Sequence, residues 1–135
     1  QMNDVKLINE GAIAEQFIGQ HLQSLLADTP NRELTYWLRE GRSSNAEIDF
    51  VIGIAGTVIP IEVKAGATGN LKSLHQFMGS KQAPFAIRFD ASLPSVSRIN
   101  TMINIGRERR NVDYNLISLP LYLIERLKII VESFL

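Results

Sequence analysis

Hydrophobic and polar residues alternate most strictly in the stretch 45–66, which reads NAEIDFVIGIAGTVIPIEVKAG. Apolar residues take every second position in part of each half of this stretch: Ile48, Phe50 and Ile52, then Ile59, Ile61 and Val63. Side chains of a strand point to opposite faces in turn, so the alternation predicts two β-strands that share one apolar face. The other face carries ionisable residues: Glu47, Asp49, Glu62 and Lys64.

A two-residue turn at positions 55–56 would join these strands into a β-hairpin. Counting outward from that turn places Asp49 opposite Glu62, and Glu47 opposite Lys64. A shift by one residue would turn the apolar side chains into water. The alternation therefore favours this pairing or one close to it.

The predicted pairing sets two carboxylates side by side, and like charges that face each other destabilise a sheet. A raised pKa on one carboxyl group would relieve the repulsion, and so would a bound divalent cation. Asp49 and Glu62 are thus candidate ligands for Mg²⁺ or Mn²⁺, and Lys64 points to the same side, where it can contact an anion. Two acids and a lysine around Mg²⁺ are suited to hydrolysing a phosphodiester.

A simpler interpretation fits the same residues. Acid–lysine pairs are common on exposed strands, and Glu47 with Lys64 would form an ordinary cross-strand ion pair on a solvated hairpin face. The sequence alone leaves the metal site and the solvated face as alternatives.

Composition narrows the class of protein. We expect one domain over residues 1–135, because this length suffices for a sizeable core. The chain lacks cysteine, which excludes disulfides and thiolate metal sites. The segment QMNDVK does not have the character of a signal peptide, and no apolar run approaches the length of a membrane span. We therefore expect a cytoplasmic protein.

Charge is distributed unevenly along the chain. Up to Glu62 there are nine acidic and four basic residues, and beyond it there are five acidic and ten basic residues. This distribution suits an acidic metal centre flanked by phosphate-binding residues.

The other elements follow from periodicity and turn residues. Helices are predicted at about 9–26, 71–80 and 121–134, and strands at 33–38, 85–89 and 114–118, with 99–105 a weaker strand. The charged turn 107–110 is more typical of a solvated loop than of a nucleic-acid contact, and Pro94 lies in a predicted loop, 90–97. The order predicts an α/β sandwich with a mixed sheet.

The predicted helices on either side of the hairpin carry four further polar side chains of interest. Glu15 lies at the edge of the apolar stripe of the first helix. From this position its carboxylate could either point into a site beside the sheet or face solvent. Lys72 and Gln76 are predicted on the polar side of the second helix, within reach of a phosphate but more typical of solvated positions. His75 has no evident partner.

The motifs IDFV and IEVKAG, in consecutive strands between two helices, resemble those of the PD-(D/E)XK nuclease superfamily. The resemblance implies a restriction-endonuclease-like fold with an α-β-β-β-α-β core. It also implies that Asp49 and Glu62 bind Mg²⁺, that Lys64 assists catalysis, and that Glu15 on the first helix joins them. Glu47 would support the site through Lys64.

A second resemblance covers nearly the whole chain. The segments GAIAEQFIGQHL, AEIDFVI, PIEVKAG, LKSL, AIRF and LPLYLIERL are similar to the nuclease-like domain at the C-terminus of many prokaryotic AAA-type ATPases. This resemblance implies that the chain is the C-terminal part of a longer ATPase, whose ATPase region would be its partner. Residues 90–113 fit least well, and no role is assigned to them.

Two functional hypotheses follow. In the first, the chain is a Mg²⁺-dependent nuclease domain that acts on DNA under the control of an ATPase region. In the second, it is a catalytically silent module that binds nucleic acid or protein and serves the ATPase, with the acidic residues retained only structurally.

Overall fold

The computed structural model describes residues 2–27, 34–35, 48–54, 56–65 and 71–135, with side chains for all of these except 2–9, 26, 34 and 35. The helices are α1 (Met2–Leu26), α2 (Lys72–Ser80) and α3 (Leu127–Phe134), the last of which follows a 3-10 helix at Leu121–Arg126. The strands are β1 (Leu34–Thr35), β2 (Phe50–Ile54), β3 (Thr57–Val63), β4 (Ala86–Asp90), β5 (Ser95–Ile105) and β6 (Glu108–Pro120).

Within the described residues, six strands form one mixed sheet in the order β1-β2-β3-β4-β6-β5. The first three strands pair antiparallel, β3, β4 and β6 run parallel, and β5 returns antiparallel to β6. Helices cover both faces, so the predicted α/β mixed-sheet fold and its α-β-β-β-α-β order are confirmed. No helix of the described part is long and apolar enough to cross a membrane.

Two apolar cores lie on opposite faces of the sheet. The first core joins the sheet to α1, the 3-10 helix and α3 through these residues: Ile18, Leu22, Phe50, Ile52, Ile59, Ile61, Phe85, Ile87, Phe89, Ile117, Leu119, Ile124, Leu127 and Val131. The second core lies under α2 and contains Ile48, Val51, Leu74, Phe77, Ala86, Val112, Tyr114 and Leu116. Burial on both faces explains why the central strands are nearly continuous apolar runs.

The predicted register of the β2–β3 hairpin is confirmed, from the pair Ile54–Thr57 outward to Phe50–Ile61. Gly56, in the turn, has φ 76°, a conformation that glycine adopts without steric cost. The prediction that Ile48 shares a face with Phe50 is wrong. The chain bends between them, and Ile48 enters the second core while Phe50 stays in the first.

Several predicted boundaries are wrong. The first helix begins at Met2, well before Asn9, because residues 2–9 include neither proline nor glycine to interrupt it. The single predicted C-terminal helix is a 3-10 helix followed by α3. The loop predicted at 90–97 is shorter, since β4 runs to Asp90 and β5 begins at Ser95.

The region beyond β4 differs most from the prediction. Where the sequence indicated one further strand with a weaker one before it, the chain forms a long hairpin of β5 and β6. The charged segment 107–110 is a turn only in its first residue and strand thereafter. Glu47, residue 33 and residues 36–38 of the first predicted strand, and the loop before α2 lie outside the described residues.

One side chain of α1 tests how this helix packs. Leu22 is fully buried in the first core, whereas Phe17, an apolar residue of the same helix, is 38% exposed. We expect Leu22→Ala to lower the free energy of unfolding by about 2–5 kcal/mol, because it leaves a cavity in the core.

Phe17→Ala serves as the matched control and should lower the free energy of unfolding by less than about 1.5 kcal/mol, since its side chain already contacts water. Urea denaturation followed by circular dichroism measures both values. Equal losses for the two variants would contradict the packing of α1 described above.

Candidate active site

The end of the β2–β3 hairpin positions the first candidate residue. The last main-chain pair of the ladder is Phe50–Ile61, and Asp49 lies at the bend just before β2. Oδ2 of Asp49 accepts a hydrogen bond of 2.7 Å from the main-chain N–H of Val63. Because a buried N–H needs an acceptor, the carboxylate takes the place of the missing strand partner and is held beside β3.

Glu62 is the buried member of the site, with 6% of its surface exposed. Its Oε1 lies 3.4 Å from Nζ of Lys64, and its Oε2 has no hydrogen-bond partner of ordinary geometry among the described residues. Burial, then the charge of the Asp49 carboxyl group and hydrogen bonding with it, raise the pKa of Glu62 to about 8, against the opposing effect of Lys64. At neutral pH Glu62 is therefore mostly protonated in the folded chain.

The structure thus brings Asp49, Glu62 and Lys64 together, as the register predicted. Glu15 is exposed on α1, and Glu47 lies outside the described residues. In the part of the chain that the structure describes, no three His, Asp or Glu residues are close enough to hold a metal ion together. The roles assigned to these residues stay predictions.

The donor set nevertheless fits a hard divalent cation. Mg²⁺ commonly keeps several waters and uses only one or two protein carboxylates. Among the described residues, Oε2 of Glu62 is a buried oxygen without a hydrogen-bond partner of ordinary geometry, and a cation could coordinate it once the carboxyl group has lost its proton. A cation there would also offset the repulsion between the carboxylates of Asp49 and Glu62, which raises the pKa of Glu62.

Two further charged residues lie on the neighbouring strand, and the sequence analysis missed both. Arg88 is the register partner of Glu62, and its Nε lies 2.9 Å from Oδ2 of Asp90. The side chain of Asp90 is 1% exposed, and its Oδ1 accepts the N–H of Ser92. The sequence could have indicated this pair, because Arg88 and Asp90 are two residues apart in the otherwise apolar segment FAIRFD. A buried strand tolerates such charges only when they are paired.

The polar side chains of α2 also differ from the prediction. Lys72 is exposed as expected, but Gln76 is buried and donates through Nε2 to the main-chain oxygen of Asn104. His75, which had no predicted partner, lies 2.9 Å through Nδ1 from the hydroxyl of Tyr114. Burial lowers the pKa of His75 and raises that of Tyr114, so this pair is neutral at physiological pH.

A cavity of about 610 Å³ opens at the carboxyl ends of the parallel strands. Its walls are mainly apolar and come from α1, the ends of β3, β4 and β6, and the 3-10 helix: Glu10, Ile13, Ala14, Phe17, Ala65, Asp90, Ala91, Pro120, Leu121 and Tyr122. Ala65 directly follows Lys64, which places the cavity next to the paired acids. Glu10, and not Glu15, is the acid that α1 contributes to its wall.

The fold and this site define an α/β protein with paired carboxyl groups and a lysine where two strands of a mixed sheet end. The chain belongs to the family described as domain of unknown function DUF4143, whose sequence profile matches residues 10–122. No curated protein matches the chain. All the candidate site residues lie within the matched range. A family or fold alone does not assign an activity, so function has to be argued from the site.

The raised pKa of Glu62 predicts how stability depends on pH. The carboxyl group has a pKa of about 8 in the folded chain and 4.5 when unperturbed, so between these values the folded state binds more protons than the unfolded state. The free energy of unfolding should therefore fall as pH rises from about 4.5 to 8, by an amount on the order of a few kcal/mol.

Glu62→Gln removes this titration and should remove the fall. Below pH 4.5 the variant and the unmodified chain should be similarly stable, and at pH 9 the variant should be the more stable. Urea denaturation of both chains at pH 4.5, 7 and 9 measures their free energies of unfolding. Other titrating groups contribute equally to both chains, so their contributions cancel in the difference between the two values. A difference that stays constant with pH would show that Glu62 is not buried beside a second carboxyl group.

Proposed function

We propose that this chain is a Mg²⁺- or Mn²⁺-dependent nuclease domain that acts on DNA. The observation that carries the proposal is the placement of Asp49, Glu62 and Lys64 at one strand end, with a buried carboxyl oxygen of Glu62 that has no hydrogen-bond partner of ordinary geometry among the described residues. The resemblance of IDFV and IEVKAG to the PD-(D/E)XK motifs supports the same activity.

Asp49 and Glu62 would hold the metal ion, which when bound supplies a more acidic water and positive charge for the phosphate. Lys64 lies beside Glu62 with 35% of its side chain exposed, so its ammonium group can contact either the protein or an incoming phosphate. Glu15 would assist with metal or water, and Glu47 would position Lys64. The cavity beside Lys64 offers room for part of the substrate next to the acids.

The resemblance to the C-terminal domains of AAA-type ATPases supports a cellular context for this activity. We infer that the chain works with an ATPase region of the same polypeptide, in the cytoplasm. In that arrangement ATP hydrolysis would deliver or release the DNA on which the domain acts.

A catalytically silent binding module is the second candidate, and two observations favour it. The carboxylate of Asp49 already has a structural task, since it accepts the N–H of Val63. Glu62 is mostly protonated at neutral pH, and a protonated carboxyl group is a poor metal ligand. In this case the chain would bind nucleic acid or protein for the ATPase without cutting it.

Binding of Mg²⁺ alone distinguishes the two candidates without a substrate. Because Glu62 must lose its proton to bind the ion, binding at pH 7 should release nearly one proton per ion, and binding at pH 9 almost none. Isothermal titration calorimetry in two buffers of different ionisation enthalpy measures this release. We expect Asp49→Asn and Glu62→Gln to abolish binding, and Glu132→Gln, which changes an exposed acid of α3, to leave it unchanged.

Cutting of DNA tests the activity itself. Supercoiled plasmid and single-stranded DNA, incubated with the chain and Mg²⁺ or Mn²⁺, should be cut by the unmodified protein and by Glu132→Gln. Asp49→Asn and Lys64→Met should lose at least about 100-fold in rate, because each removes a group that stabilises the charge of the transition state. Equal cutting by all four proteins, or intact DNA under every condition, would contradict the nuclease assignment and leave the binding module.

A further inference from the structure

The β5–β6 hairpin extends beyond the rest of the sheet. Its two strands pair without interruption from Ser95–Ser118 to Ile105–Glu108, whereas β6 pairs with β4 only over Leu116–Pro120. The segment 98–105 of β5 and the segment 108–115 of β6 therefore form a two-stranded ribbon, to which no other strand of the described residues pairs. Its tip turns at Gly106, where φ is 62°.

The two faces of this ribbon differ sharply. One face packs on α2 and contributes these residues to the second core or its edge: Ile99, Ile103, Val112 and Tyr114. The opposite face, here called the outer face, consists of residues that alternate with them and are exposed: Arg98, Asn100, Met102, Asn104, Arg109, Asn111 and Asp113. The α2 contact fixes the orientation of the ribbon, so the outer face is held towards solvent.

The outer face is rich in side chains that are not engaged within the protein. Arg98 bonds to Asp113 at 2.7 Å and to Asn115 at 3.2 Å. The side chains of four other residues form no hydrogen bond or ion pair with the part of the chain that the structure describes: Asn100, Asn104, Arg109 and Asn111. Three amides and a guanidinium group are thus available along one side of a rigid ribbon.

These side-chain types are the ones that read base edges. Asparagine bonds to adenine through its amide, and arginine to guanine, both in the major groove of DNA. That groove is about 12 Å wide and admits a two-stranded β-ribbon. Side chains on one face of a strand repeat about every 7 Å, which is close to two base-pair steps of roughly 3.4 Å each.

Charge favours the same partner. Residues 95–115 carry four arginines, at 98, 107, 109 and 110, against two acids, Glu108 and Asp113, which gives a net charge of +2. The whole chain is neutral, so the ribbon is more positive than the average of the chain. The tip, with Arg107 and Arg109 exposed, would approach phosphates, where positive charge is most favourable.

We propose that the outer face of the ribbon binds duplex DNA in its major groove. The proposal rests on the proposed function in that the chain acts on DNA, and it adds that the substrate is double-stranded and is held away from the acids. Asn100, Asn104 and Asn111 contact base edges, and Arg109 contacts a base or a phosphate. These contacts are independent of any metal ion.

Binding of a fluorescein-labelled 20-base-pair duplex, followed by fluorescence anisotropy in EDTA, tests the proposal. The variant Asn100→Ala/Asn104→Ala/Asn111→Ala should bind at least about 10-fold more weakly, because it loses three amides that contact base edges. Arg109→Ala should weaken binding and lower the slope of affinity against salt by about one ion. A duplex containing 7-deazapurines lacks the major-groove N7 acceptor, and this loss should weaken binding by the unmodified chain more than binding by the triple variant.

The matched control is Gln16→Ala/Gln20→Ala/Gln23→Ala, which removes three exposed amides from α1 and should bind the duplex as the unmodified chain does. Thermal unfolding should show that both triple variants stay folded, because all six positions are exposed. Duplex binding that survives the asparagine variant, or that ignores the 7-deazapurines, would overturn the proposal. The proposal would also be overturned if the unmodified chain did not bind the duplex but formed a dimer, and the asparagine variant were monomeric. That result would show that the outer face is a protein interface.

The outcomes also separate this proposal from the nuclease assignment. Metal-independent binding that needs the ribbon, without any cutting, would sustain the ribbon proposal and contradict the nuclease. If Asp49→Asn abolished the cutting of DNA while the triple asparagine variant cut DNA as fast as the unmodified chain, the nuclease assignment would be supported and the ribbon proposal overturned.

Discussion

The hydrogen bond from the main-chain N–H of Val63 to the carboxylate of Asp49 is the contact on which the candidate site depends. It ends the β2–β3 ladder and brings the carboxyl group of Asp49 beside that of Glu62. A carboxylate that merely faced solvent would turn away from a second acid. Here it is retained, because releasing it would leave a main-chain N–H without an acceptor.

Burial on both faces of the sheet changes the protonation of the carboxyl group that this contact brings beside Asp49. The helices exclude water from the central strands, so a carboxyl group on β3 pays for desolvation unless it is protonated, paired with a cation or bound to a metal. Lys64 compensates Glu62 only partly, whereas Arg88 and Asp90 on the neighbouring strand lie 2.9 Å apart as an ion pair. The site therefore contains one carboxyl group that burial keeps mostly protonated at neutral pH, next to a carboxylate that is paired with a guanidinium group.

The sheet also relates the site to the ribbon. Three strand spacings separate β3 from β5 in the order β3-β4-β6-β5, which amounts to about 14 Å at roughly 4.8 Å per strand. The register aligns Glu62 with Arg88, Ser118 and Ser95, so the asparagines of β5 lie at least five residues further along the sheet. Because Ile61 and Val63 pack in the first core, Glu62 points to the α2 side of the sheet, whereas the outer face of the ribbon points to the opposite side. The paired acids and the outer face are therefore two separate surfaces of the molecule.

Much of this arrangement is encoded locally. Strict alternation and the short turn determined the register of the β2–β3 hairpin, because a slip by one residue would have exposed its apolar side chains, and the register in turn placed Asp49 near Glu62. Periodicity also determined the element order of the α/β core. What periodicity describes, however, is the face on which a side chain lies, and it contains no information about what covers that face.

Only the tertiary structure decided the remaining points. Gln76 and His75 are polar residues of a helix whose partners, Asn104 and Tyr114, are distant in sequence and are brought close by the β5–β6 hairpin. Asp90 is buried and Arg88 half-buried because β4 lies at the centre of the sheet, and the outer face of the ribbon is exposed because α2 covers the opposite one. Packing between segments that are distant in sequence determines which side chains are buried. Burial in turn determines whether an ionisable side chain is protonated, paired with an opposite charge or exposed to solvent.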